Sequence, residues 1–265
     1  MARILVCRPD YFDVTYEINP CMSLAHPPDA DIARRQWQGL MDILSGPLGA
    51  DLEVMDPEPD LPDLVFTANA GLVVGRRVAL SNFRYPERRG ETPVFRRWFE
   101  EHGYETLSLP EEVFFEGAGD ALFVGEHLFA GYHYRSEIRS HELLSEALGR
   151  RVLSLELTDP RFYHLDTCFS PLDAETVAIY PRAFDAYAIK VIRAFVPHVV
   201  EVNDGDALRF AANAVVVGRR VAMNAGCPGF EAQLRERGFG PHPTPLDQFL
   251  RSGGSAKCLT LTLEP

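Results

Sequence analysis

Two segments of this chain are copies of one another. Phe66-Thr-Ala-Asn69-Ala-Gly-Leu-Val-Val-Gly75-Arg-Arg-Val-Ala-Leu80 matches Phe210-Ala-Ala-Asn213-Ala-Val-Val-Val-Gly218-Arg-Arg-Val-Ala-Met223, with one single-residue gap at Gly71. The shared Val-Val-Gly-Arg-Arg-Val-Ala reads as two short apolar strands around a glycine turn, a β-hairpin. Looser copies run from Ala121 to Ala130 and, with a longer turn, from Phe169 to Tyr180. A last copy opens at Cys258 and is completed in space by the N-terminal strand Ile4–Cys7. The copies begin at Leu72, Ala121, Phe169, Ala214 and Cys258, at intervals of 44 to 49 residues. Such a period signals an array of one supersecondary unit.

Helical stretches lie between the hairpins. Residues 91–102 end at Gly103, and 136–148 end at Gly149, a C-cap glycine. Residues 185–195 and 228–237 carry the same apolar spacing. The unit is therefore hairpin, helix, strand, repeated five times. Five such units close into a ring, which removes exposed sheet edges. The spacing predicts an α/β fold, a five-bladed α/β propeller with pseudo-five-fold repeats, over residues 1–265 as a single domain. The competing arrangement, a plain α/β sandwich with accidental likeness between two hairpins, does not account for a period that holds along the whole chain. The proline-rich patches 56–62 and 241–245 read as short loops.

Lys and Arg number 26 against 38 Asp and Glu, a net charge of −12. That balance excludes a nucleic-acid or anionic-membrane surface, which would need basic patches, and suits a cationic small molecule. No apolar run reaches membrane-spanning length, and the start Met1–Pro9 is too short and too soon interrupted for a signal peptide. The five cysteines (Cys7, Cys21, Cys168, Cys227 and Cys258) are scattered, with no C-x-x-C pair. They fit reduced thiols in a soluble cytoplasmic protein and no zinc ribbon. Neither metal nor cofactor is expected. The oligomeric state, homo-oligomer included, stays open.

A polar residue stands just before each first strand. Asn69 precedes Leu72, Glu116 and Asp120 precede Ala121, His164 and Asp166 precede Phe169, Asn213 precedes Ala214, and Cys258 opens the last strand. Equivalent positions of a ring converge on its axis. A thiol, an imidazole and carboxylates in one central pocket are the parts for covalent attack on an electron-poor carbon. A cysteine opening an apolar strand is otherwise a small buried hydrophobe, and Cys7, Cys21, Cys168 and Cys227 are read so. Cys258 differs by its loop, Gly253-Gly-Ser-Ala-Lys257, in which Lys257 is expected to lower the thiol pKa. His164 is set apart from the other seven histidines only by its repeat phase. Asp120 reads equally well as a turn residue.

Phe115-Glu116-Gly-Ala-Gly-Asp120, Tyr163-His164-Leu-Asp166 and Gly253-Gly-Ser-Ala-Lys-Cys258 resemble the Glu-Gly-Gly-Asp, His-x-Asp and terminal-cysteine motifs of the guanidine-modifying (pentein) superfamily. The superfamily includes arginine deiminases, dimethylargininases, amidinotransferases and arginine dihydrolases. The resemblance covers essentially the whole chain and implies the same five-bladed fold. The opening Cys7–Pro20, with Asn19, and the Phe66–Gly71 segment are most similar to arginine dihydrolase domains. Asn69 stands where deiminases and dimethylargininases usually carry aspartate. Arg135 and Arg88 match the arginines that bind the substrate carboxylate in relatives, with Arg84 a competing choice for the second.

The implied chemistry follows from the residue types. Glu116 and Asp166 grip the planar guanidinium through paired charge-assisted hydrogen bonds. Cys258 attacks its carbon, and His164 protonates the leaving amine and then activates water. Asn69 can donate to the oxygen of a neutral urea where aspartate would repel it, so a second attack leads from arginine to ornithine, carbon dioxide and ammonia. The nearest alternatives are a dimethylargininase or a deiminase, which stop at citrulline. An amidinotransferase would need a second amine, and a non-catalytic binding module would have no use for Cys258 and His164.

Overall fold

The computed structural model describes residues 1–263. Alternating apolar residues on short strands need a partner on either side, and here each blade supplies its own. Every sheet has three strands: an antiparallel hairpin, then a strand returning parallel through a helix. The first sheet joins the chain ends. Its strand β1 (Arg3–Cys7) lies parallel to β2 (Asp51–Met55). The next blades are β3 (Gly71–Val74), β4 (Arg77–Leu80) and β5 (Glu105–Leu107), then β6 (Ala121–Val124), β7 (His127–Tyr132) and β8 (Val152–Glu156). They are followed by β9 (Phe169–Pro171), β10 (Thr176–Ile179) and β11 (His198–Glu201), then β12 (Val215–Val217), β13 (Arg220–Asn224) and β14 (Gly240–Thr244). The last strand, β15 (Leu261–Thr262), pairs antiparallel with β1, Ile4 opposite Thr262 and Leu5 opposite Leu261. The expected completion of the last hairpin by the N-terminal strand is thus observed.

The ring follows from a shared wall. Residues of β3, β6, β9, β12 and β15 all line one axial cavity, so the five inner strands surround a common axis. The helices lie between second and third strands, at Ala30–Ser45, Glu91–Glu101, Ile138–Leu148, Ala186–Phe195 and Pro228–Glu236. The last four match the expected stretches, and Gly149 caps its helix in the left-handed conformation at φ 63°. The helix Ala30–Ser45 is an addition to the sequence reading. Asp29 Oδ1 caps it by accepting from the Ile32 N–H at 2.9 Å. Its face Ala33, Trp37, Leu40, Met41 and Leu44 is buried, each large side chain contributing about 1.5–3 kcal/mol. Among the described residues no helix is long and apolar enough to cross a membrane.

Three inner strands are entered through one turn of 3-10 helix: Thr67–Ala70 before β3, Gly117–Gly119 before β6 and Leu165–Thr167 before β9. These turns crowd together at the axis. A Cβ on Gly117 (φ 65°) would meet Ala68 O and Gly71 N of the neighbouring blade at 2.9 Å, and one on Gly119 would strike the Asn69 amide. The glycines of the Glu116–Asp120 motif therefore let adjacent blades touch. One detail departs from expectation. Cys258 does not open the last strand; it lies in the turn before it, three residues ahead of Leu261. The Gly253–Lys257 loop closes back on the Asn213 blade first, which delays the strand.

Candidate active site

Cys258 is 4% exposed, and Asn213 builds its surroundings. Asn213 Oδ1 accepts from the Lys257 and Cys258 backbone N–H groups at 3.0 and 3.1 Å. Its Nδ2 donates to Asp166 O at 3.0 Å and to Cys258 Sγ at 3.1 Å. Asn213 therefore fixes the sulfur rather than facing the pocket. Cys258 Sγ–H points at the Asp166 carboxylate, 3.4 Å from Oδ2 and 3.7 Å from Oδ1. Burial and the Asp166 charge push the thiol well above its usual range, with the Asn213 hydrogen bond opposing them. Burial pushes Asp166 up to about 7, against the nearby Lys257 charge and the Cys258 and Asn213 hydrogen bonds. Lys257 Nζ donates to Thr260 O at 3.2 Å and makes no hydrogen bond to the sulfur, while its charge is coupled to both Asp166 and Cys258.

His164 stands on the facing wall. Its Nε2 is 2.7 Å from Glu116 Oε2, which also accepts from Arg135 Nη1 at 3.0 Å. Glu116 Oε1 accepts from the Arg84 backbone N–H at 3.2 Å. Burial alone would push the Glu116 carboxyl up, but Arg135 and His164 hold it well below the usual carboxylate range. Asp120 clamps two turns from behind, accepting from Ser136 Oγ at 2.6 Å and from the Leu165 N–H at 3.0 Å. It is a structural link and no part of the pocket wall.

One pocket joins these groups. Asn19, Asn69, Arg88, Arg135, His164 and Cys258 all line it. Glu116, Asp166 and Asn213 do not; they stand one layer back, bonded to His164, Cys258 and the Cys258 loop. Asn19 Nδ2 ties the long segment after β1 to Ser252 O at 3.0 Å. Arg135 runs under the same segment, donating to Ile18 O at 3.1 Å, and stacks on Tyr163 and Tyr85 at 4.5 and 4.8 Å. Arg88 grips Glu91 through two bonds of 2.7 and 2.8 Å and donates to Asn69 Oδ1 at 3.0 Å. The competitor Arg84 sends its guanidinium to Arg135 O and Glu137, away from the pocket.

Asn69 has a defined orientation. Arg88 is a donor only, so the amide oxygen faces it, and Nδ2 donates one hydrogen to Glu116 O at 2.9 Å. The second Nδ2 hydrogen is left for the pocket. The sequence reading missed Asp63, which is 2% exposed and lines the pocket, accepting from Tyr16 Oη at 2.9 Å and Ser252 Oγ at 3.4 Å. Burial pushes its carboxyl up, with Arg88 opposing. A lone carboxylate inside the apolar run Pro62–Phe66 was the available signal. Among the described residues, no group of three or more His, Cys, Asp or Glu side chains is placed to hold a metal ion.

The family model for arginine deiminase matches residues 54–218. The bifunctional arginine dihydrolase/ornithine cyclodeaminase ArgZ of Synechocystis sp. is 47% identical over 264 residues, covering 98% of this chain and 37% of that protein. The chain thus spans little more than a third of that relative. The N(G),N(G)-dimethylarginine dimethylaminohydrolase of Mycobacterium tuberculosis is 40% identical over 263 residues, covering 99% of this chain and 86% of that one. The solved N-terminal domain of ArgZ with substrate bound superposes with a TM-score of 0.96 at 45% identity, covering 100% of this chain and 98% of that one. With its five-bladed ring and a cysteine and histidine facing one pocket, the chain belongs to the arginine deiminase family of the guanidine-modifying (pentein) superfamily.

Proposed function

We propose that this chain is an arginine dihydrolase: arginine and two waters give ornithine, carbon dioxide and two molecules of ammonia. The observation that carries the reading is that Cys258 and His164 line one pocket together with Asn69, which keeps a free N–H.

The thiol starts protonated beside Asp166. A guanidinium entering the pocket beside Cys258 and His164, with the Asp166 and Glu116 carboxylates one layer behind, places a cation next to the sulfur and lowers its pKa. His164 takes the thiol proton as the sulfur bonds to the guanidino carbon, and passes it to a terminal amino group, which leaves as ammonia. Glu116 keeps the imidazole aligned through this exchange. His164 then takes a proton from water, which adds to the carbon and displaces the sulfur, leaving a urea. Asn69 holds the urea oxygen through its second N–H, and a second attack by Cys258 expels the second ammonia. Water cleaves the resulting thiocarbamate, and the carbamate loses carbon dioxide to give ornithine. Arg88 and Arg135 retain spare donors for the substrate carboxylate, and Asp63 is a counter-charge for its ammonium. The pocket volume is about 10 Å³, room for about one water. Substrate entry therefore requires the pocket to open.

A dimethylargininase reading is favoured by the Mycobacterium tuberculosis relative, and one assay separates the two. Purified protein is incubated with arginine and, separately, with asymmetric dimethylarginine, and products are identified by mass. Ornithine from arginine is expected, with all turnover lost in Cys258→Ser. Citrulline accumulating without ornithine, or turnover of the methylated substrate alone, would replace the dihydrolase reading.

A further inference from the structure

The axial cavity lies further along the inner strands than the substrate pocket and shares no lining residue with it. Its volume is about 260 Å³. A dry apolar cavity of roughly 150 Å³ already takes benzene, so this one has room for a compact organic molecule. Each blade contributes apolar wall: Leu72, Leu122, Phe169, Val215 and Leu261.

Two polar groups interrupt that wall. Ser170, 2% exposed, has an Oγ that is buried without a hydrogen-bond partner. A buried hydroxyl left unpaired costs about 1–3 kcal/mol, so a partner supplied from the cavity would be favoured. The second is Lys257, half-buried, whose Nζ donates to Thr260 O alone among the described residues. An ammonium carries three donors, so two remain. No carboxylate lines the cavity; the Asp166 charge that Lys257 feels comes from outside it and forms no ion pair with Nζ. An ammonium with spare donors at the end of an acid-free apolar chamber selects an anion with an apolar body.

We infer that this cavity is a second binding site, which takes a small monocarboxylate with a compact branched or aromatic body, its carboxylate on Lys257 Nζ and Ser170 Oγ. The ligand stands behind the nucleophile, since Lys257 adjoins Cys258, and does not compete for the substrate pocket.

The test uses benzoate as the probe and benzyl alcohol as its neutral analogue, titrated calorimetrically into the protein. One saturable benzoate site per chain is expected, with benzyl alcohol and Lys257→Met each weakening binding about tenfold or more. Val216→Trp, at the half-buried mouth of the cavity, is expected to abolish it. Arginine at saturation in Cys258→Ser protein should leave benzoate binding unchanged. No saturable heat, displacement of benzoate by arginine, or undiminished binding to Val216→Trp would overturn the assignment. Should Lys257→Met fail to fold, the Val216→Trp and benzyl alcohol arms still decide it.

Discussion

Replacing Glu116 by glutamine perturbs one fully buried carboxylate on which three donors converge. Oε2 receives His164 at 2.7 Å and Arg135 at 3.0 Å, and Oε1 receives the Arg84 N–H at 3.2 Å. Glutamine offers one acceptor oxygen. With that oxygen kept toward His164 and Arg135, its NH₂ confronts the Arg84 N–H, donor against donor. Arg135, only 2% exposed, also loses its counter-charge. Breaking a buried ion pair from one side costs about 3–5 kcal/mol. At roughly 2–4 °C per kcal/mol for a chain near this size, Tm at pH 7 should fall by about 6–20 °C. The pH dependence has a definite sign. The folded Glu116 pKa lies below the unfolded one, so its stabilisation is fully present above the unfolded value near ~4.3. It is lost as pH falls through the folded value. The gap between parent and variant should hold from pH 5 to 8 and narrow below pH 4. Scanning calorimetry across that range reads it directly. A Tm within 2 °C of the parent at pH 7 would refute the claim that Glu116 is the charged hub behind His164.

Asp166→Asn should do the opposite to stability. The folded Asp166 carboxyl is raised to about 7, so its ionisation costs stability increasingly from pH 4 to 7 and fully above that. The variant should melt about 5 °C or more above the parent at pH 8 and equally at pH 4, while losing turnover by about 100-fold or more; a lower Tm at pH 8 counts against it. Cys258, held as a neutral thiol by burial and Asp166, should react with iodoacetamide at pH 8 about tenfold or more slowly than free cysteine, read on its own peptide by mass. Faster reaction than free cysteine would mean a resident thiolate.

The ring and much of its centre were readable because the repeat is a physical constraint on position. Asn69 and Asn213 stand at matching points of two copies, so their convergence followed from closure alone. What each does there did not. Asn69 keeps a hydrogen for the pocket, while Asn213 spends its side-chain hydrogen bonds on the Cys258 loop and Asp166, a difference set by the neighbouring blade. The helix Ala30–Ser45 carries a clear apolar stripe, but its blade is split between the chain ends and falls outside the hairpin phase. Asp63 precedes its repeat by a turn and reaches the pocket through the bend at Phe66, which no local pattern encodes. Adjacency in sequence did not show that Lys257, next to Cys258, also lines a different cavity.

The most direct measurement is the mass of the protein quenched in acid within the first turnover on arginine. A covalent bond between Cys258 and the guanidino carbon predicts protein carrying the mass of arginine less ammonia, located on the Cys258 peptide and absent from Cys258→Ser. Turnover to ornithine by a protein that never carries that adduct, or by the Cys258→Ser variant, would contradict it.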